Sequence, residues 1–245
     1  LFVISVMNIL KYITMNKHIF KLFFISLFST FMLSSCLKDD LNSPNVPQAG
    51  FTMINVHSAS DFIIHRADNN LIQTMNNPLR FKGINFVYLY PGNRKIQTID
   101  ADNKIIVDST YSIKDSLLYT SFVYTKALNK VGQRMIEDAL LPNLETNSAF
   151  RFLNLAHDKI NVDLFIGDTQ TLDNRAYDGD TFVANNYKFT SNATGNKRIT
   201  VKNQAGQILA EKEVDMKVRM HYSIVLIKNT TNNDYEILVY EQYRS

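Results

Sequence analysis

The sequence predicts an all-β protein with two tandem immunoglobulin-like or transthyretin-like β-sandwich domains after a lipoprotein signal peptide. Three observations predict this arrangement. Short apolar or alternating runs are separated by turn residues, part of the chain repeats itself, and an apolar leader ends at the only cysteine, Cys36. Many short strands joined by turns are typical of β-sandwiches, and a short apolar run behind basic residues is typical of a cleaved leader.

Residues 1–35 are interpreted as an upstream extension followed by a signal peptide. An apolar run of 12 residues, 22–33, comes after Lys17 and Lys21, and it is shorter than the ~20 residues that a membrane span needs. The alternative is a buried core helix, but such a helix is amphipathic and this run is apolar on all sides. The run ends in a Leu-Ser-Ser-Cys motif that resembles the lipobox of bacterial lipoproteins. We therefore expect a lipid on Cys36 that anchors the protein to a membrane.

A short charged motif follows the expected lipid site. Lys38, Asp39 and Asp40 resemble the signal that exports lipoproteins of the Bacteroidetes to the outer leaflet of the outer membrane, although a solvated charge cluster would look the same. Residues 36–49 then contain prolines and asparagines and few apolar residues, which is typical of an extended tether. The expected location is the outer membrane, with the protein exposed on the cell surface.

The body of the chain contains an internal repeat. Residues 50–56 match residues 149–155 in their alternation, and residues 91–124 match residues 194–227 without a gap. Only six of these 34 ungapped positions are identical, so the register of turns and apolar runs carries the comparison rather than identity. We interpret residues 50–143 and 147–245 as two copies of one domain, with four extra residues in the second copy.

Each copy is predicted to consist of seven short strands. They span residues 51–57, 62–66, 86–89, 95–100, 105–112, 118–124 and 134–138 in the first copy, and 150–155, 162–166, 187–189, 197–202, 208–214, 221–228 and 234–240 in the second. Asn103 and Gly206 occupy matching positions between strands, where a residue that tolerates positive φ fits a tight hairpin. Residues 131–141 come closest to a helical pattern.

The start of each copy and the strand at residues 162–167 resemble the duplicated domain of unknown function numbered 4397. The matching runs are residues 53–61, 152–158 and 136–140, the last before a proline. The resemblance implies sandwich domains of bacterial surface or secreted proteins, and its motifs carry no chemistry. The chain departs from the usual Ser-Pro-Asp turn of that family, with Ala59-Ser60-Asp61 and His157-Asp158-Lys159 in its place.

Charge and motifs exclude several classes of function. Three of the 26 basic residues, Lys11, Lys17 and Lys21, lie in the leader, which leaves 26 − 3 = 23 basic against 23 acidic side chains. A neutral body lacks the basic surface that a nucleic-acid partner requires. The sequence also has no nucleophile elbow, phosphate-binding glycine loop or zinc-protease motif. We therefore expect no cofactor and no enzymatic activity.

Two sets of side chains are candidate metal ligands. His57, His65 and Asp61 could share a metal ion, but a structural role for the histidines is the commoner case, and the second copy has no equivalent set. The acidic loop from Asp173 to Asp180 offers the oxygen ligands that calcium prefers, but it lacks the full spacing of a calcium loop. A solvated turn is the alternative.

Two further repeated or short motifs have structural alternatives. Tyr119 and Tyr222 recur at the start of the sixth strand, where a tyrosine corner explains them better than a binding role. Ser109 and Ser116 lie in triplets that resemble an O-glycosylation acceptor of exported Bacteroidetes proteins. Plain exposed turn residues would give the same triplets.

The sequence favours a non-catalytic surface lipoprotein that binds a glycan or protein partner. Its candidate contact residues are Arg175, Tyr177 and Asp178, because they lie in the segment that is longer in the second copy. One alternative is a structural or accessory subunit of an outer-membrane complex. The other is a hydrolase with paired carboxylates drawn from a set of four residues, namely Asp61, Asp163, Asp173 and Asp178.

Overall fold

The computed structural model describes residues 46–126 and 130–244. Cys36, Lys38, Asp39 and Asp40 lie outside the described residues, so the anchor and the export signal stay predictions. Within the described ranges the regular structure is β-strand, apart from one turn of 3-10 helix at Ala184–Tyr187. The predicted all-β fold with tandem sandwiches is confirmed.

The first sandwich contains nine strands in two sheets. They are β1 (Ala49–Val56), β2 (Phe62–Ala67), β3 (Asn70–Leu71), β4 (Leu79–Arg80), β5 (Ile84–Leu89), β6 (Gly92–Ile99), β7 (Ile105–Ile113), β8 (Leu118–Thr125) and β9 (Val131–Asp138). One sheet has the order β5-β1-β8-β9 and the other β3-β2-β6-β7, with β4 paired to β2.

The second sandwich contains eight strands in two sheets. They are β10 (Asn147–Asn154), β11 (Val162–Ile166), β12 (Thr169–Arg175), β13 (Thr190–Ala193), β14 (Gly195–Asn203), β15 (Ile208–Met216), β16 (Met220–Lys228) and β17 (Tyr235–Arg244). Their orders are β13-β10-β16-β17 and β12-β11-β14-β15. In both sandwiches the first strand runs parallel to the penultimate one, β1 to β8 and β10 to β16.

The strand registers reproduce the ungapped repeat. Gly92 pairs with Ile113 in the first sandwich, and Gly195 pairs with Met216 in the second. Both ladders also have a bulge at the same place, after Thr98 and after Val201. The tight turns agree as well, because residues 103 and 206 both have positive φ, 61° and 81°.

Both expected tyrosine corners are present. The backbone N–H of Lys114 donates to the Tyr119 hydroxyl at 3.0 Å, and that of Lys217 donates to the Tyr222 hydroxyl at 2.8 Å. The Tyr222 hydroxyl in turn donates to a backbone carbonyl, that of Asp215. Each tyrosine therefore fixes the turn before its strand, and neither is free to bind a ligand.

The two sandwiches pack against each other through the sheets that contain β1 and β10. Strands β1, β8, β10 and β16 are buried along almost their whole length, which requires cover on both faces. A core between these two sheets contains buried residues of both sandwiches: Ile54, Val56, Phe122, Tyr124, Ile136, Leu153, Leu155, Tyr187, Val225, Ile227, Leu238 and Tyr240. Residues 47–245 consequently form one compact unit.

A buried polar network crosses this interface around Arg151. Its guanidinium donates to the Asp138 carboxylate, and neither side chain is exposed. It also donates to Thr120 at 3.0 Å, to Ser223 at 2.7 Å and to Gln242 at 2.9 Å. A buried guanidinium is tolerated only when its donors are satisfied, and four acceptors meet that need here.

The packing of the two sandwiches is nearly reciprocal. Thr52 is the residue of the first copy that corresponds to Arg151, since each lies two positions after the equivalent glycine or alanine of β1 or β10. Arg151 reaches across to Asp138 at the end of β9, while Thr52 reaches across to Tyr243 at the end of β17, 2.8 Å between hydroxyls. Such reciprocal contacts are the signature of a two-fold dimer interface, here formed within one chain.

The structure corrects several strand assignments. Residues 169–175, which the sequence assigned to no strand, form β12. This is a bulged edge strand, and its polar sequence lacks the apolar alternation that predicts a strand. Strands β3 and β4 have only two residues each and were also missed. The segment with helical character, 131–141, is strand up to Asp138 because its apolar residues pack on both neighbouring sheets.

Candidate functional site

Strand β5 presents a row of exposed aromatic side chains. Its sequence alternates, so that Val87 and Leu89 pack into the core of the first sandwich while the other face carries Phe86, Tyr88 and, just beyond the strand, Tyr90. These three side chains, which we call the aromatic stripe, are 43%, 62% and 65% exposed. Single exposed apolar residues are ordinary, but a contiguous row marks an interaction surface.

The stripe is ordered by its surroundings. The rings of Phe86 and Tyr88 meet edge to face, with centroids 5.1 Å apart and planes at 84°, a favourable arrangement for aromatic pairs. Phe86 also lies close over the backbone of β1, because an added Cβ at Gly50 would come within 3.0 Å of its ring. Each of the two rings is therefore contacted by the other, and Phe86 also by the backbone of β1.

The backbone of β5 has one free edge. The N–H of Asn55 donates to Gly83, whereas the N–H of Gly50 donates to Leu117 on the opposite side of β1. Because backbone groups alternate in direction along a strand, β5 directs the groups of residues 85 and 87 toward β1, and those of residues 84, 86 and 88 outward. No strand of the described residues pairs with this outer edge.

This edge lacks the usual protection against strand pairing. Natural edge strands are guarded by charges, by bulges or by being very short. Of the edge strands in residues 46–126 and 130–244, β5 alone has at least six residues and no charged side chain. By comparison, the other edge of the same sheet, β9, carries Arg134, Glu137 and Asp138.

The face of the second sandwich that corresponds to the aromatic stripe is covered. The registers place Ser191 of β13 where β5 has Tyr88, and therefore Phe189 where it has Phe86. Phe189 is 5% exposed and is covered by leucines of the segment between the sandwiches, namely Leu140, Leu141 and Leu144. Position 193, which corresponds to Tyr90, is alanine. Only the first copy therefore leaves this face open.

A groove of about 240 Å³ adjoins the stripe between strands β3 and β5. Beside Tyr88 and Tyr90 it is lined by Asp68 and Arg94, whose side chains pair at 3.0 Å. Hydrogen bonds from the backbone of Lys95 and from Arg94 hold the pKa of the Asp68 carboxyl below its usual range. The groove thus gives the stripe a polar border without net charge.

Sequence reasoning assigned residues 86–89 to a strand but gave them no function. Both faces of that strand are apolar, so the sequence alone does not show which face is exposed. One signal was present in the repeat, since two tyrosines of the first copy stand where the second copy has serine and alanine. Side chains that differ in this way between copies are not required by the shared core.

The segment that contains the predicted contact residues is held by hydrogen bonds of its own side chains. Asp178 is 2% exposed and its carboxylate accepts hydrogen bonds from the Asn154 N–H, from Asn186 and from Arg175. Arg175 also donates to two backbone carbonyls, and Tyr177 packs half-buried beside the inter-sandwich core. Burial raises the pKa of Asp178 although Arg175 opposes this shift. Arg175 and Asp178 fasten the segment to the sandwich, and a role of Arg175, Tyr177 and Asp178 as ligand contacts stays a prediction.

Each carboxylate considered for hydrolysis has its own hydrogen-bond partners or surroundings. Asp178 belongs to the buried ion pair, Asp163 accepts from the Asn174 N–H, and Asp173 accepts from Gln170. Asp61 lies in the other sandwich, in an open polar groove near His57. Among the described residues no three histidine, cysteine or acidic side chains are grouped to hold a metal ion.

His57 and His65 do not form a shared site. The His57 ring bonds to the Thr125 hydroxyl at 2.8 Å, whereas His65 is fully buried on β2 and neither ring nitrogen has a hydrogen-bond partner. The ring of His65 meets that of Phe51 edge to face at 6.3 Å. Burial lowers the pKa of His65 to about 4.

Replacing His65 with leucine should make the protein less sensitive to acid. Leu164 occupies the equivalent position of the second copy, so the core of this fold accepts the side chain. The folded pKa of about 4 lies below the ordinary value of 6.5, so only the unfolded state takes up the proton between those values. Stability should fall by roughly 2–3 kcal/mol from pH 6.5 to pH 4.5 in the wild type.

Denaturant unfolding at pH 7 and pH 4.5 checks this expectation. The difference in unfolding free energy between the two pH values should shrink in His65→Leu by most of that amount. Ile63→Val is the control, because it changes a buried side chain of the same strand without removing a titratable group, and it should leave the difference unchanged. An unchanged difference in His65→Leu would show that His65 is not the source of the acid sensitivity.

Comparisons with known proteins give the following result. No family model matches the chain, and no curated protein matches it. The chain is similar to a solved DUF3823 family protein from Bacteroides ovatus, with 16% identity, a TM-score of 0.20, and 70% of this chain and all of that chain covered. A DUF3823 family protein from Parabacteroides merdae gives 12% identity, a TM-score of 0.19, and coverage of 71% and 100%.

The family number of these structures differs from the one expected from the sequence. Neither comparison names a catalytic activity. Within the described residues, no helix has the length and apolar character required to cross a membrane.

Proposed function

We propose that this protein is a non-catalytic binding module on the cell surface, anchored in the outer membrane through Cys36 and contacting its partner through the aromatic stripe. The observation that carries the proposal is the exposure of Phe86, Tyr88 and Tyr90 together on one face of an ordered edge strand. The anchor rests on the lipobox and export motif of the sequence.

The chemistry of the stripe suits a contact surface. Tyrosine and phenylalanine are enriched at protein interfaces and dominate their binding energy, since each buries a large apolar area with few torsions to fix. The paired rings lose little further freedom when a partner covers them. The groove at Asp68 and Arg94 supplies the polar border that surrounds such a centre.

Replacing Tyr88 with serine and Tyr90 with alanine should abolish most of the binding. These are the residues of the second copy at the same positions, and both tyrosines are more than half exposed, so stability should change by less than about 0.5 kcal/mol. Affinity for the partner should fall by about tenfold or more, because two contact aromatics are lost.

The measurement is binding of the purified protein to immobilised mucin, fibronectin and bacterial capsular polysaccharide, beside an unfolding curve. Ile208→Ser is the control, since Ile208 is a similarly exposed apolar residue, 51%, on the outer sheet of the second sandwich. The control should bind like the wild type. Equal binding by the double variant, or no binding of the wild type to any of these, would contradict the proposal.

A further inference from the structure

We propose that the partner is a protein, and that an uncharged, leucine-rich extended segment of it adds as a strand to the free edge of β5 and covers the aromatic stripe. This inference rests on the proposed function and names the class of partner. Three independent features of the molecule support it: the direction of the backbone groups, the way the second copy closes the same face, and the absence of net charge.

The backbone of β5 is ready to accept another strand. The residues whose N–H and C=O groups point outward are Ile84, Phe86 and Tyr88, and their side chains form the exposed face. A segment that pairs with this edge would therefore satisfy those backbone groups and place alternate side chains beside the rings. The edge ends at Tyr90, whose carbonyl already accepts a hydrogen bond from Arg94 at 2.9 Å.

The second copy shows which side chains cover this face. Phe189, the counterpart of Phe86, lies in a buried cluster with three leucines of the preceding segment, Leu140, Leu141 and Leu144, and its ring also contacts Arg151 and His221. The leucines of this cluster indicate that an aliphatic segment of a partner would fit the equivalent face at Phe86.

Charge also restricts the partner. Strand β5 carries no charged side chain, and the charges of Asp68 and Arg94 in the adjoining groove neutralise each other at 3.0 Å. A charged segment would lose its hydration over the stripe without gaining an opposite charge. An uncharged segment has no charge hydration to lose and gains apolar contact with the aromatic stripe.

Amide hydrogen exchange of the ¹⁵N-labelled full chain tests the inference. The probe is an acetylated heptapeptide of alternating threonine and leucine at millimolar concentration. Exchange at the Phe86 and Tyr88 amides should slow at least tenfold, because the added strand accepts their hydrogens. The Asn85 and Val87 amides are internal controls, since they already face β1. The same peptide with every amide N-methylated should protect neither outward amide.

Each other outcome overturns the inference. Unchanged exchange at Phe86 and Tyr88 excludes strand addition, and equal protection by the N-methylated peptide reduces it to face contact. Protection that rises with protein concentration without peptide identifies a second copy as the occupant. Protection by capsular polysaccharide alone identifies a glycan. Where Tyr88→Ser with Tyr90→Ala loses a ligand but the peptide protects no amide, the binding function stands and the strand-addition inference fails.

Discussion

Replacing Arg151 with alanine should lower the free energy of unfolding by about 3–5 kcal/mol. The side chains of Arg151 and Asp138 are both fully buried between the sandwiches. Removing the guanidinium leaves the carboxylate without its counter-charge in a site that water does not reach, and Thr120, Ser223 and Gln242 lose a donor. Denaturant unfolding followed by circular dichroism measures the loss.

Two variants sharpen this test. Arg198→Ala removes an exposed arginine whose ion pair with Glu213 is more than half exposed, and it should cost less than about 1 kcal/mol. Arg151→Met combined with Asp138→Leu removes both charges and should recover part of the loss. The recovery is incomplete because Tyr243 also donates to Asp138, at 2.8 Å. A loss for Arg151→Ala no larger than that of Arg198→Ala would refute the role of the buried pair.

Replacing Leu153 with alanine should destabilise both sandwiches together. Leu153 is fully buried in the core between them, and large-to-small changes at such sites cost about 2–5 kcal/mol. Because residues 47–245 form one compact unit, we expect one cooperative transition that moves as a whole to lower denaturant. Circular dichroism and tyrosine fluorescence should report the same midpoint.

Leu164→Ala provides the comparison, because Leu164 is buried in the core of the second sandwich alone. It should move the same single transition by a similar amount. If the sandwiches unfolded separately, Leu164→Ala would split the curve into two transitions and leave one of them at the wild-type midpoint. That result would show that the interface contributes little to stability.

The repeat was predictable because tight turns require particular residue types at particular positions. Positive-φ residues at 103 and 206, the glycines at 92 and 195, and one tyrosine per corner all recur at a constant spacing of 103 residues. Turn chemistry and strand alternation depend on neighbouring residues. The pattern of turns and strands is therefore still recognisable in both copies, although only six of the 34 aligned positions are identical.

The packing of the sandwiches was not predictable in the same way. Continuous apolar runs such as residues 224–227 indicate burial on both faces, but they do not say which sheet supplies the second cover. Arg151 was hidden for another reason, since arginine is mostly exposed and is buried only where partners distant in sequence satisfy it. The burial of Asp178 was hidden for a similar reason, because its partner Asn154 is distant in sequence.

The nearly reciprocal interface has a consequence for valency. A dimer of separate identical chains would repeat every surface twice and would be bivalent toward its partner. When the two copies are fused in one chain, equivalent positions no longer need to carry the same residue. Thr52 and Arg151 therefore differ at equivalent positions, and Phe86 is exposed while Phe189 is buried. The described part of each chain therefore offers one stripe. Under the proposed anchoring, avidity would depend on the density of molecules on the membrane rather than on the fold itself.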